Sequence, residues 1–321
     1  MIKKNLFVKN NIQKEYLKSS SLNKLSKKFN KIISNIILEV KDKKKTLNVL
    51  DSNFNFNFNY ADLQKYKKFK VIAIVGMGGS ILGAEAICNF LNKKIKKKIY
   101  FFNNLDEEKI FNFKKKENVN KSLFLIISKS GNTIETLSNT FALNIIKKNA
   151  KNIIFISEKK NNLLFSLSKK MNIFYIEHKD NIGGRYSVLS EVGIIPAYLM
   201  GINTTKLRSE VLRFLKNKEK AFLKESAIKL VYLLQSKKIS NIIFLNYSPE
   251  FEKFLFWCQQ LIAESLGKKG KGFLPVISNV PKDHHSLLQL YLDGPRDKLF
   301  YIFSLKKNKI KKQSIDFVKN A

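Results

Sequence analysis

Residues 123–136, LFLIISKSGNTIET, decide how the rest of the chain is read. Leu123, Phe124, Leu125, Ile126 and Ile127 form an apolar run without alternation, which predicts a strand buried on both faces. The run stops at Ser128-Lys129-Ser130-Gly131-Asn132-Thr133, and a helix is predicted next. Thr133 or Asn132 supplies its cap, Glu135 lies in its first turn, and Leu137, Phe141, Leu143 and Ile145 supply an apolar face. A strand feeding a helix through a short Ser/Thr/Gly loop aims hydroxyls and free backbone N–H groups at one point, beside the positive end of the helix dipole. Such a point suits a phosphate. The same residue types are ordinary turn and cap residues, so capping alone also accounts for them individually. Ser128, Ser130, Thr133 and Thr136 nevertheless place four hydroxyls within nine residues, more than one cap uses.

Outward from this stretch the pattern repeats. Apolar runs of strand length, VIAIV at 71–75, IYFF at 99–102, NIIFI at 152–156 and IFYI at 173–176, alternate with helical segments. That alternation predicts a parallel, doubly wound α/β sheet, whose right-handed crossovers bring the loops at the strand carboxyl ends to one side. A second α/β unit follows a Lys-rich helical stretch at about 204–236: strands at 241–247, 273–278 and 299–305, with helices at 250–266 and about 283–292. Three visible strands are few for a self-contained sheet. The fold class is therefore α/β with two doubly wound parallel-sheet subdomains, the second incomplete. The expected division is 1–62 as a helical lead-in, 63–203 as the first subdomain, and 204–321 as linker helices and the shortened second one. Within the lead-in, Leu22, Leu25, Phe29, Ile32, Ile33, Ile36 and Ile37 predict a helix packing on the main body, and NFNFNFNY at 53–60 alternates like a strand or is a low-complexity loop without evident chemistry.

Glycine is scarce, 13 in all, and clusters at 76–83, 131, 183–184 and 267–272. The first cluster, GMGGSILG, ends the first strand. Its spacing departs from a dinucleotide fingerprint, and the second strand closes on Asn103-Asn104 rather than an acidic residue. What it predicts is a tight turn at Gly78 and Gly79 where backbone approaches a ligand, with the Ser80 hydroxyl offered at a helix start. The third, Gly183-Gly184-Arg185-Tyr186-Ser187, brings one Arg to the mouth of the sheet ahead of a helix from 187 to 200. An Arg there binds an anion or pairs with a structural carboxylate. Glu264 ends the apolar helix FLFWCQQLIAE; partial burial would raise its pKa and make it a general base, and otherwise it is a surface Glu near a helix end. Asp283-His284-His285-Ser286 holds the chain's His pair, suited to acid/base work near neutral pH or to a helix turn without a role.

The 321 residues carry a formal charge of +35, a field that attracts polyanions. The lysines are spread along the chain with abundant Asn, Ile and Phe, and no RNP-like, zinc-finger or helix-turn-helix pattern accompanies them, so no specific nucleic-acid partner is expected. The two cysteines, Cys88 and Cys258, lie in apolar helical segments and are expected as reduced core residues. No leader-like apolar region opens the chain and no run of 18 or more apolar residues occurs, so a cytoplasmic protein without membrane contact is expected.

GMGGSILG, SKSGNTIET, NIGGRYSVLSEVGIIP, AESLGKKGKG and the HSLLQ after Asp283 together resemble the phosphoglucose isomerase (glucose-6-phosphate isomerase) family of sugar-isomerase (SIS) domains, over residues 65 to 305 and in the family's order. The resemblance implies interconversion of glucose 6-phosphate and fructose 6-phosphate through a cis-enediol, without metal or organic cofactor. By the matching motifs, Ser80, Ser128, Ser130 and Thr133 would hold the sugar phosphate, Glu264 would carry the proton between C2 and C1, and Arg185 would stabilise the enediolate. His285 would open the ring from the neighbouring subunit of a homodimer. A noncatalytic sugar-phosphate-binding SIS protein is the alternative. Family members continue beyond the point matching Ala321 with a helix whose Lys assists ring opening, and Lys306, Lys307, Lys309, Lys311 and Lys312 follow no family motif.

Overall fold

The computed structural model describes residue 12 and residues 17–236 and 239–305; the tail lysines from Lys306 onward lie outside them. Eleven helices and eight strands are assigned in that range. The helices are α1 (Ser19–Lys41), α2 (Tyr60–Gln64), α3 (Leu82–Phe90), α4 (Glu107–Lys116), α5 (Ile134–Ala142), α6 (Leu163–Met171), α7 (Glu191–Leu199), α8 (Thr204–Ser209), α9 (Asn217–Ser236), α10 (Glu252–Leu266) and α11 (His284–Leu292). The strands are β1 (Val71–Val75), β2 (Lys98–Phe102), β3 (Ser122–Ile127), β4 (Ile153–Ser157), β5 (Phe174–Glu177), β6 (Asn241–Asn246), β7 (Leu274–Asn279) and β8 (Lys298–Phe303).

The first sheet is parallel throughout, in the order β2-β1-β3-β4-β5. β3 lies at its centre, and Leu123 through Ile127 are all 0% exposed, as the unalternating run requires. Successive residues feed opposite cores. Ile72, Ile74, Leu123, Leu125, Ile127, Ile154 and Ile156 join Ala84 and Ile87 of α3 and Val192, Ile195 and Leu199 of α7. Ala73, Val75, Phe124, Ile126 and Phe155 face Ile110 and Phe113 of α4 and Leu164 of α6. Helices on both faces make the sheet doubly wound. Its order reverses between β1 and β3, because the chain leaves β1 for β2 on one side and returns to β3 on the other. Ligands of open parallel sheets bind at that crevice.

The second sheet, β7-β6-β8, is also parallel and repeats the order of β2-β1-β3. The repeat extends to side chains. Asn103 Nδ2, past the end of β2, donates to Glu85 Oε1 of α3 at 2.7 Å, and Asn279 Nδ2, at the end of β7, donates to Glu252 Oε1 of α10 at 2.9 Å. α3 and α10, the helices that follow the first strand of each sheet, pack on one another, with Phe90 stacked on Phe251 at 5.3 Å. This packing carries the carboxyl-terminal end of α10 to the loops of the first sheet.

Several local expectations change. α5 has no side-chain cap, because the Thr133 hydroxyl pairs with Ser128 and the Asn132 side chain accepts from Leu163 N. α5 ends at Ala142, so Leu143 and Ile145 reach the core from the following loop while Phe141 stays exposed. The helix expected from 187 begins instead as a 3-10 turn, Gly184–Leu189, after which Ser190 caps α7. Of the two readings of 53–60, the loop holds over 53–59, and the rings of Phe54, Phe56, Phe58 and Tyr60, the last opening α2, contact one another in sequence at 5.0–5.2 Å. α1 packs against α9. No helix among the described residues is long and apolar enough to cross a membrane.

Candidate active site

The loops after β1 and β3 open onto a cleft of about 320 Å³ lined by Met77, Gly79, Ser80, Lys129, Ser130, Thr133, Glu158 and Gly184. It lies at the reversal of the strand order. Gly78 adopts φ +51°, which only glycine takes without strain, and places Gly79 where a Cβ would fall 2.2 Å from the Gly184 carbonyl carbon. Ser80, expected at a helix start, instead completes a 3-10 turn, Gly78–Ser80, two residues before α3 begins at Leu82.

In the second loop, Ser128 and Thr133 hydroxyls pair at 2.8 Å and Ser130 lies 3.4 Å from Thr133 Oγ1. Ser128 is 1% exposed and accepts from Gly131 N at 3.2 Å, so it faces the loop interior and does not line the cleft. Ser130 and Thr133 do. Thr136 is also buried, inside α5 and away from the cleft lining. Because no side chain caps α5, its first backbone N–H groups remain beside these hydroxyls.

Sequence reasoning missed Lys129 and Glu158. Lys129 Nζ donates to the carbonyls of Asp180 and Ile182, each at 2.9 Å, and pairs with Glu158 Oε1 at 3.4 Å. A Lys between two serines in the loop was the available signal. Glu158 follows β4, which no loop motif marks.

Arg185 and Glu264 come together across 79 positions of sequence, Nη1 to Oε2 at 3.1 Å. Arg185 Nε also donates to Ser265 Oγ at 3.0 Å, its guanidinium lies 4.6 Å from the Tyr186 ring centroid, and Trp257 Nε1 donates to its carbonyl at 2.9 Å. Burial disfavours the guanidinium charge, but Tyr186 and Glu264 outweigh it and hold the Arg185 pKa above its ordinary value. Burial likewise favours a neutral Tyr186, yet the Ser265 hydrogen bond and the charges of Arg185 and Lys268 hold that phenol below 10.0.

Of the two readings of Glu264, a partly buried base or a surface Glu near a helix end, the exposure matches the second: its side chain is 49% exposed, in the last turn of α10. Its second oxygen, Oε1, accepts from Gln260 Nε2 at 3.0 Å, and that amide in turn approaches Gly78. Gly78 and Gly184 thus adjoin this pair, while neither Arg185 nor Glu264 is among the residues that line the cleft.

His285 joins neither group. It is exposed in the first turn of α11, beside the far edge strand β7, and its side chain makes no hydrogen bond or ion pair among the described residues. His284 lies against Tyr247. Cys88 and Cys258 are free thiols, pushed by burial up to about 11 and about 12, which leaves them unreactive near neutral pH. Among the described residues no group of three or more His, Cys, Asp or Glu is placed to hold a metal.

The architecture is that of the sugar-isomerase class. A hypothetical protein of Thermus thermophilus superposes on 96% of this chain and 80% of its own with a TM-score of 0.73 at 20% identity. A glucose-6-phosphate isomerase from Chlamydia trachomatis covers 89% of this chain and 59% of its own at a TM-score of 0.58 and 18% identity. Within that class the chain belongs to the phosphoglucose isomerase family, whose model matches residues 33–272. It is 35% identical over 265 residues to the glucose-6-phosphate isomerase of Methanocaldococcus jannaschii, an alignment covering 78% of this chain and 64% of that relative. The chain therefore spans just under two thirds of that relative's length.

Proposed function

We propose that the chain carries out the reversible isomerisation of glucose 6-phosphate and fructose 6-phosphate through a cis-enediol. The observation that supports this most is that Glu264 and Arg185 meet at 3.1 Å directly beside Gly184, a lining residue of the hydroxyl-lined cleft. Simple binding of a phosphate needs the hydroxyls but not an acid/base carboxylate beside a guanidinium.

The phosphate sits against Ser80, Ser130 and Thr133, with Ser128 fixing the Thr133 hydroxyl from behind, Lys129 adding charge, and Gly78, Gly79 and Gly184 admitting the ligand to the backbone. In the opened aldose, Glu264 takes the proton from C2 and returns it to C1, while the hydroxyl proton moves from O2 to O1. Arg185 bears the negative charge that develops on these oxygens. Proton transfer of this kind uses no cofactor. His285 opens the ring of a substrate bound by the other copy in a homodimer, a reading supported by its exposure and by the exposed Leu288 and Leu292 on the same stripe of α11. We divide the chain into 1–62, 63–203 and 204–321 along this scheme and assign it to the cytoplasm, consistent with its two free thiols.

The test is turnover of fructose 6-phosphate by purified protein beside Glu264→Gln. Turnover that falls about 10³-fold or more in the variant is expected. Absent turnover, with sugar phosphate still raising the melting temperature, would favour a binding-only protein. Mixing Glu264→Gln with His285→Ala tests the shared site: mixed dimers contain one intact Glu264–His285 site, so activity returns on mixing.

A further inference from the structure

Nothing in the isomerase reading assigns Tyr186 or Ser265, yet both hold Arg185. Ser265 follows Glu264 on α10, so the helix presents a carboxylate and a hydroxyl side by side to one guanidinium. Arg185 Nε donates to Ser265 Oγ at 3.0 Å while Nη1 donates to Glu264 Oε2 at 3.1 Å. Two parallel anchors from consecutive residues fix the guanidinium plane, which one ion pair to a half-exposed carboxylate does not. The third constraint is Tyr186, whose ring packs under the guanidinium at 4.6 Å and whose hydroxyl lies 3.0 Å from the same Ser265 Oγ. Tyr186 itself is backed by the cluster of Val49, Phe54 and Ile182, with Phe56 and Leu189 beside them. The 53–60 loop thus supports the Arg185 turn from below.

We propose that Tyr186 and Ser265 are positioning residues that hold the Arg185 guanidinium in a single orientation through one shared hydroxyl. Glu264 is the natural competitor for that guanidinium: during the reaction its carboxylate must turn to the substrate carbon. When it does, the Ser265 and Tyr186 contacts remain and keep Arg185 aimed at the developing oxyanion. Arg185 is thereby kept from following the base, which is what preorganisation of a charge-stabilising group requires. The catalytic consequence rests on the isomerase reading, whereas the orientation of the side chain does not.

Two measurements separate these. The first is the hydrogen-exchange rate of the Arg185 Nε–H in a ¹H–¹⁵N spectrum, the signal being identified by its loss in Arg185→Lys. Slow exchange is expected in the parent, about tenfold faster exchange in Ser265→Ala, and slow exchange again in Ser265→Thr, which keeps a hydroxyl. The second is steady-state kinetics with fructose 6-phosphate. Ser265→Ala is expected to lower kcat about tenfold with KM within about twofold, Ser265→Thr to restore kcat, and Tyr186→Phe with Ser265→Ala to be no slower than Ser265→Ala alone. An exchange rate unchanged in Ser265→Ala, or a Thr variant as damaged as the Ala variant, overturns the proposal. A parent protein without turnover overturns the isomerase reading only, and the exchange rates then decide the positioning claim by themselves.

Discussion

A methyl group on Gly79 would lie 2.2 Å from the carbonyl carbon of Gly184, so the loop after β1 and the loop after β5 meet backbone to backbone. No side-chain rotation relieves that contact. Gly79→Ala is expected to part the two loops, destabilise the protein by about 1–3 kcal/mol and cut turnover about 100-fold or more. Gly184→Ala is the control: its Cβ would come no nearer than 3.8 Å to Gly79 Cα, an ordinary contact, and its stability should change by less than about 0.5 kcal/mol. Thermal unfolding and fructose 6-phosphate turnover check both.

Lys129 bridges the cleft to the 180–182 loop through two carbonyls while pairing with Glu158. Lys129→Met keeps the aliphatic stem and removes the charge. If Lys129 adds to phosphate binding, KM for fructose 6-phosphate rises about tenfold while kcat falls much less, the pattern of lost ground-state binding. A fall confined to kcat would place its influence on the Arg185 loop instead.

Glu85 is 4% exposed, and burial holds its carboxyl above the ordinary 4.5 despite Lys253, Lys109 and the Asn103 hydrogen bond. A carboxyl raised in the folded state binds its proton more tightly there than in the unfolded chain. Its stabilisation is full below pH 4.5 and is lost as pH rises through the folded-state value. Glu85→Gln, which keeps an acceptor for Asn103, is therefore expected to be more stable than the parent at pH 7.5, by about 1 kcal/mol. The gain should shrink on acidification, as chemical denaturation at both pH values will show.

α11 exposes Leu292 at 70% and Leu288 at 39%, on the stripe that carries His285. Leu288→Asp with Leu292→Asp is expected to shift the protein from dimer to monomer in sedimentation equilibrium and to lower turnover in parallel. Phe111→Asp, on the equally exposed outer face of α4, leaves both unchanged. A monomeric parent, or a dimer unaffected by the α11 changes, removes the shared-site reading.

The strands were legible in the sequence to within a residue or two, because a parallel strand buried on both faces must be apolar at every position, and 71–75 and 123–127 are. The Gly78 turn was marked for a similarly local reason, since φ +51° strains any side chain whatever the space around it, whereas the crowding at Gly79 comes from Gly184 in a distant loop. Residue type also nominated Ser80, Ser130, Thr133, Arg185 and Glu264. It could not rank Ser128 below them, because its burial depends on the fold of the loop around Thr133.

What tertiary structure alone decided is which of these groups meet. Arg185 and Glu264 are joined by the packing of α10 on α3, a contact between the two sheets that no sequence period encodes. Tertiary structure also decided between the open readings: Glu264 lies half exposed at the end of α10, and 53–60, NFNFNFNY, is a loop that supports Tyr186 rather than a strand. Local sequence sets backbone geometry and burial preference over a few residues. Distance between residues 79 apart is set by how whole helices pack, and that sum of many weak contacts appears only in the folded chain.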